Sequence, residues 1–317
     1  MGLTDGGGSG ILLHMRSHFR SRRPAAGFSL TELLVAIGLV AVLLGILLPA
    51  LASVKRSGRI AGCSSNLRQL AQAHVAYMDA HDGAFVDAGL SHEAGGGDES
   101  PEVAWVNQLR PFIGGRDYDG ETTGEVAARE QEQLDVLRSP LDTSPHWPRA
   151  LGGAGVPAAG DRFRRTSYAF NDFLSRRYSP YVAIEGAFAA DDRLSRVPAA
   201  ADTVLFVTLA FEGDYAVSDH VHMADLYAPV PPLLLPTLAA QQIQIDAAGG
   251  PDAAWDSRAN YAFLDGSVRT SDFGEVFLPP ADLDGDGIVS GAADFVNRFD
   301  PRAAGRFASV AARRNAG

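Results

Sequence analysis

The sequence predicts an α+β fold: a long N-terminal helix, membrane-spanning in its first half, packed by its second half on a small antiparallel sheet. Three observations predict it. Residues 33–52 read "LLVAIGLVAVLLGILLPALA", twenty residues without a charge. From Ile60 the apolar positions recur at helical spacing as far as His81. Residues 166–271 then hold short alternating or β-branched runs separated by turn signals, the last around Asp265–Gly266.

The totals narrow the function classes. A chain of 317 residues with 46% apolar content can build the core of one or two domains. A formal net charge of −11 argues against nucleic-acid binding. The charge is uneven: residues 1–27 carry Arg16, Arg20, Arg22 and Arg23 against Asp5, leaving 23 basic and 37 acidic residues in the remainder. A basic head, an apolar segment and an acidic body fit a membrane-held chain whose body is exported. Cys63 is the single cysteine, so an intrachain disulfide and C-x-x-C metal sites are excluded.

Twenty uncharged residues match a hydrocarbon core of roughly 30 Å. A buried core helix is the plain alternative, but twenty residues apolar on every face are too many for one side of a globular domain. A cleaved secretory signal has a shorter apolar region, roughly 7 to 15 residues, followed by a small-x-small cleavage site. Here the chain continues past the segment in helical period. Just before it, "RRPAAGFSLTELL" places one acid, Glu32, four residues after Phe28. An ionised carboxylate in lipid needs a partner charge or becomes neutral.

Gly27, Phe28, Glu32 and the basic Arg22 and Arg23, followed by this apolar run, resemble the type III signal of type IV pilins and type II secretion pseudopilins. The resemblance implies that prepilin peptidase cuts between Gly27 and Phe28 and that the new amine of Phe28 is methylated. It also implies an assembly role for Glu32, as partner to the N-terminal amine of a neighbouring subunit. The plainer reading makes Glu32 a helix-start acid at headgroup level, facing the positive end of the helix dipole. Residues 1–14 are Gly-rich and show neither helix nor strand pattern. A start at Met15 would give the short basic leader "MRSHFRSRRPAAG" and is the expected one; a longer leader is the alternative.

The helix is expected from about Phe28 to Asp82, roughly 80 Å at 1.5 Å per residue. Ile60, Cys63, Leu67, Leu70, His74, Tyr77 and His81 form one apolar stripe, widened by Ala71, Val75 and Met78. Gly83 is the expected stop, and Pro49, Gly58 and Gly62 are expected to bend or loosen the helix. Cys63 on the stripe reads as a buried small hydrophobe. His74 and His81, one heptad apart, read as packing histidines rather than a metal pair. Cys63, Asn66, Leu67, Arg68, Gln69, Tyr77, Asp82 and Gly83 further resemble a subgroup of large pseudopilin-like chains of planctomycete type.

In the globular part, "GLSHEAGGGDES", "GGRDYDGETTGE" and "LGGAGVPAAG" read as loops, and "VAWVNQLRPFI" and "EVAAREQEQLDVL" as helices. "TSYAFND" (166–172), the β-branched "TVLFVTLAF" (203–211) and the hairpin "NYAFLDGSVRTS" (260–271) read as strands. The hairpin resembles the subgroup's terminal "ANxLFxDGHV" pattern, with Trp255 where that pattern has a histidine. "SPLDTSP" stands where the subgroup has a Cys-Pro-Ser-Asp-like segment. "DHVHMADLY" (219–227) gathers Asp219, His220, His222 and Asp225; a loop of exposed polar groups is the expectation, a metal site the alternative. "PVPPLLLP" reads as an exposed Pro-rich loop, and the tail from residue 301 as a short helix or a disordered end.

"DLDGDGIVSGAADF" (282–295) carries a calcium-type loop. Asp282, Asp284 and Asp286 take positions 1, 3 and 5, Gly287 the sharp turn at 6, the Ile288 carbonyl position 7 and Ser290 position 9. Three carboxylates at alternate positions repel one another without a cation. The pattern resembles an EF-hand-like or dockerin loop, except that Asp294 falls at position 13 rather than 12. A single structural Ca²⁺ is expected, as is common at the C-terminus of major pseudopilins.

Five segments follow: a leader (1–27), the long helix (28–82, spanning at 33–52), an extracytoplasmic α+β domain (83–278), the calcium loop (279–300) and a tail (301–317). The resemblance implies a non-enzymatic pilin or pseudopilin subunit of a type II secretion or type IV pilus filament. It sits in the inner membrane by a single pass, with its C-terminal domain on the extracytoplasmic side. Its implied partners are prepilin peptidase, other pilin-type subunits, the inner-membrane assembly platform and the membrane. Two rivals are a non-polymerising anchored binding protein and a signal-anchored hydrolase with its site near His220.

Overall fold

The computed structural model describes residues 29–90, 103–115, 135–147, 163–181, 192–227, 230–281, 283 and 295–315. The chain forms two compact units, Met1–Ala52 and Ser53–Gly317. Helix α1, Leu30–Ala80, begins in the first and continues in the second, and it runs unbroken through Pro49. It ends where the sequence places its stop. The Met78 carbonyl accepts from the amides of His81 (3.1 Å) and Gly83 (2.8 Å), and Gly83 takes φ 76°. Asp82 is left-handed as well, at φ 54°, a conformation aspartate tolerates better than most residues.

The second unit is built on a five-stranded sheet of order β3-β1-β2-β4-β5. The strands are β1 (Tyr168–Asn171), β2 (Val204–Thr208), β3 (His220–Val221), β4 (Arg258–Phe263) and β5 (Val268–Asp272). β2 is the central strand, as its unbroken apolar run predicts, and both faces of the sheet are covered. One face packs Tyr168, Phe170, Phe206 and Ala262 against Cys63, Leu67, Leu70, Ala71 and Tyr77 of α1. The other buries Ala169, Val207, Tyr261 and Phe263 with Phe273, Phe277, Phe295 and Phe299. Leu205 and Phe206 both belong to the α1 side although they are consecutive. The β2–β4 register shifts between Val204 and Phe206, and such a bulge lets two successive side chains share a face.

The antiparallel expectation needs one correction. β1–β2, β2–β4 and β4–β5 are antiparallel, but β1–β3 is parallel, so the sheet is mixed. The chain leaves β2, turns round the end of β1 and returns on its far side, antiparallel to β2 and therefore parallel to β1. A two-residue strand has no periodicity to announce it, which is why the pattern missed it.

Two asparagines tie the layers together. Asn66 of α1 donates to the carbonyls of Asp135 (3.3 Å) and Arg138 (2.9 Å). Asn260 of β4 donates to the Ile60 carbonyl of α1 at 3.0 Å, while its own oxygen accepts from Thr270 at 2.6 Å. The β4–β5 hairpin turns at Gly266, φ 83°, with Asp265 accepting from the Ser267 amide. Trp255 stacks on Phe273 at 5.4 Å.

The smaller elements are α2 (Trp105–Gln108), prolonged by a 3₁₀ turn at Arg110–Ile113, then α3 (Leu235–Ala239), α4 (Pro301–Ala304) and α5 (Phe307–Asn315). The tail is therefore helical, and Phe307 and Val310 bury against Leu278 and Val296. In the Pro-rich stretch Leu233 and Leu234 are exposed, as expected, while Leu235 turns inward. Of the helix expected at "EVAAREQEQLDVL", only a 3₁₀ turn, Asp135–Leu137, falls among the described residues. Most of the three Gly-rich loops also falls outside them.

The "SPLDTSP" segment carries a buried ion pair. Asp142 meets Arg164 at 2.7 Å, both side chains fully buried. Asp142 also accepts from Ser167 Oγ and the Ser144 amide, and Arg164 donates to the carbonyls of Leu209, Ala210 and Ala216. Removing one member strands the other charge without water. Asp142→Ala should cost about 3–5 kcal/mol, and the double change Asp142→Leu with Arg164→Met less than that. Chemical denaturation followed by tryptophan fluorescence measures both.

His74 is a packing histidine, as expected. It lies fully buried among Phe85, Phe170 and Phe206, neither ring nitrogen has a partner, and desolvation pushes its pKa down to about 3. His81 corrects the stripe. It sits one residue beyond the helix end and is exposed, stacked on Tyr77 at 3.8 Å. The sign for His74 follows from linkage: the unfolded chain takes a proton near pH 6.5 that the folded chain refuses until about pH 3. Stability is therefore lost as the pH drops through that window, by up to about 1.4 kcal/mol per pH unit from this group. His74→Leu should flatten the acid limb of a stability-versus-pH curve between pH 6 and 4.

Candidate functional site

The first helical turn carries the candidate site. Ser29 precedes α1 and caps it: its hydroxyl accepts from the Glu32 amide at 3.2 Å. The carboxylate of Glu32 reaches back and accepts from the Ser29 amide and the Ser29 hydroxyl, both at 2.9 Å. This is the reciprocal capping box that Ser-x-x-Glu ahead of an apolar run produces. It satisfies two of the amides that a helix start leaves without partners. It also turns the carboxylate toward the N-terminal end of the chain. The readings of Glu32 as a partner for a terminal amine and as a helix-start acid thus share one geometry. Ser29 escaped the sequence reading, although the four-residue spacing "SLTE" states it.

Beyond Glu32 nothing polar follows for twenty residues. Every side chain from Leu30 to Ala52 is exposed, including fifteen leucines, isoleucines and valines from Leu30 to Val54. α1 is the one described helix long and apolar enough to cross a membrane. A stripe on one side would ask for a single covering surface; apolar side chains all round ask for lipid or for neighbours on every side.

The other predicted site residues fall differently. Gly27 and Phe28 lie outside the described residues, and so do Asp282, Asp284, Asp286, Ile288, Ser290 and Asp294 of the acidic loop. The His–Asp stretch overturns the expectation of an exposed loop. Asp219 and His220 are fully buried, His222 is half-buried and Asp225 is exposed. His220–Val221 forms β3. Cys63 is fully buried, its sulfur 3.7 Å from Thr208 Oγ1, as a small core residue should be.

Comparison with known proteins agrees with the helix start. Residues 22–48 match the family model described as the prokaryotic N-terminal methylation motif. The segment thus carries a type IV pilin-like processing signal. No curated protein matches the chain, and no solved structure does. Ser29→Ala should remove the cap and cost the helix start about 1 kcal/mol. Hydrogen exchange on the detergent-solubilised chain would show it as faster exchange at the Glu32 amide, with the α1 amides beyond Ile60 unchanged.

Proposed function

We propose that this chain is a structural subunit of a pilin-type filament, belonging to a type II secretion or type IV pilus system. Prepilin peptidase cuts it between Gly27 and Phe28 and methylates the new amine. The subunit first resides in the inner membrane, by residues 33–52 with Arg22 and Arg23 on the cytoplasmic side, and later in the filament. The observation that carries the reading is the motif match over residues 22–48 together with an apolar helix exposed on every side. No nucleophile elbow, phosphate loop or zinc signature in the sequence argues for an enzyme.

Glu32 acts in two stages in this account. Cleavage before Phe28 leaves the Ser29 amide in place, so the capping box survives processing. In the bilayer the box gives the carboxylate hydrogen-bond donors where water is scarce. On assembly the amine of a neighbouring subunit, delivered through the assembly platform, supplies a full countercharge. The resulting pair needs no water, so the segment can leave lipid for a core of like helices.

Calcium at Asp282–Asp294 is part of the proposal and rests on ligand spacing. Full occupancy should raise the melting temperature of the purified chain, and Asp284→Ala should remove that rise.

Intact-mass measurement of the membrane-extracted protein should return a chain beginning at N-methylated Phe28. An intact leader, or a cut after Ala52, contradicts the proposal. Glu32→Leu should leave cleavage in place and abolish incorporation into sheared filaments; unchanged incorporation would favour a solitary anchored protein.

A further inference from the structure

The buried end of the sheet holds a paired-imidazole arrangement that the filament reading does not use. His220 Nε2 and His222 Nε2 face each other at 2.9 Å. His220 opens β3 and His222 follows one residue past its end, so the two rings come out on one side, as an extended period of two gives. Each ring is held from behind. Asp219 Oδ1 accepts a hydrogen bond from His220 Nδ1–H at 3.0 Å, the tautomer that leaves the lone pair of that imidazole at Nε2. Asp219 is itself fixed, accepting from the amides of Gly89 (3.1 Å) and Leu90 (3.2 Å). Tyr178 stacks on the His220 ring at 4.0 Å and blocks its rotation. The His222 backbone is clasped by the Gln242 side chain, which accepts from its amide (2.6 Å) and donates to its carbonyl (3.1 Å).

We propose that His220 and His222 chelate a borderline divalent metal ion, of the zinc, nickel or copper class, through their Nε2 atoms. Three observations carry this. A carboxylate on the remote nitrogen is the usual support of a metal-ligating histidine, fixing its tautomer and raising its basicity. Both Nε2 atoms converge on one point, where a proton now bridges them. An ion about 2.0–2.1 Å from each nitrogen would hold them about 3.3 Å apart, so the pair needs to open by only about 0.4 Å. Nor is the point sealed: His222 is half-buried and lies beside exposed Asp225. Among the described residues no group of three His, Cys, Asp or Glu side chains that could hold a metal forms, so the proposal rests on the two imidazoles alone. Imidazole ligands suit this metal class and do not suit calcium, which separates the site from the acidic loop. The Asp225 carboxylate is held by Gln242 Nε2 and Tyr215 Oη at 3.3 Å each.

The test uses the untagged full chain in detergent, with calcium present in excess to occupy hard-oxygen sites. ZnCl₂ titrated at pH 7.5 should bind at one site that disappears in His222→Gln, measured by calorimetry and by the rise in melting temperature. The variant keeps a hydrogen-bond donor toward His220 and removes the ligand, so its fold survives; its melting temperature without zinc checks this. Absence of zinc binding, or equal binding by wild type and His222→Gln, would overturn the proposal and leave the two imidazoles as a hydrogen-bonded pair.

Discussion

The uncharged run at residues 33–52 has to be kept from water, and the rest of the chain is arranged around that requirement. Each buried leucine or valine is worth about 1.5–3 kcal/mol relative to leaving it exposed. With that many apolar side chains exposed all round, the free helix in water would be far outside any stability a domain could supply. A bilayer meets the demand, and so does a bundle of identical helices. The charges divide unevenly across the run: residues 1–27 hold four arginines against one acid, and the remainder holds 23 basic against 37 acidic residues. Glu32 is the one charged residue between Phe28 and Ala52. Its contacts with Ser29 show how a carboxylate can wait there without a countercharge.

The same helix then changes its solvent. From Ile60 onward it presents one apolar face to a sheet instead of apolar side chains on every face, and the sequence shows the change as a shift from continuous to periodic apolarity. This made α1 the most legible element. Its stop was legible too, because Asp82 and Gly83 must both go left-handed for Met78 to close the turn. β2 and the β4–β5 hairpin were readable from β-branched content and from Asp265–Gly266. β3 was not: its two residues pair with β1 across a long connection, and pairing of that kind leaves no local mark. The bulge in β2 was hidden for a related reason, since a strand buried on both faces shows no alternation to interrupt.

Sites followed the same division. The helix-start motif is local in sequence, so it could be read, and Ser29 with it had the capping rule been applied. His81 was misplaced because a periodic stripe carries on in sequence after the helix has ended. The His–Asp stretch was misjudged because polar composition suggests exposure, whereas burial is decided by partners far away. Asp219 shows this best. Its carboxylate binds the amides of Gly89 and Leu90, while its carbonyl accepts from Trp105 Nε1 (2.7 Å) and the Phe170 amide (2.8 Å).

Asp219 therefore joins the loop after α1, the short helix α2, the parallel β1–β3 pair and His220 at one point. Buried carboxylates are tolerated when every lone pair finds a donor, and here backbone amides supply most of them. Such an anchor makes the position of His220 a consequence of the fold and not of its own loop. A side chain placed by so many distant partners has a fixed tautomer and a fixed direction. Those are the two properties an imidazole needs before it can hold anything besides a proton, and here they come from the packing of the sheet itself.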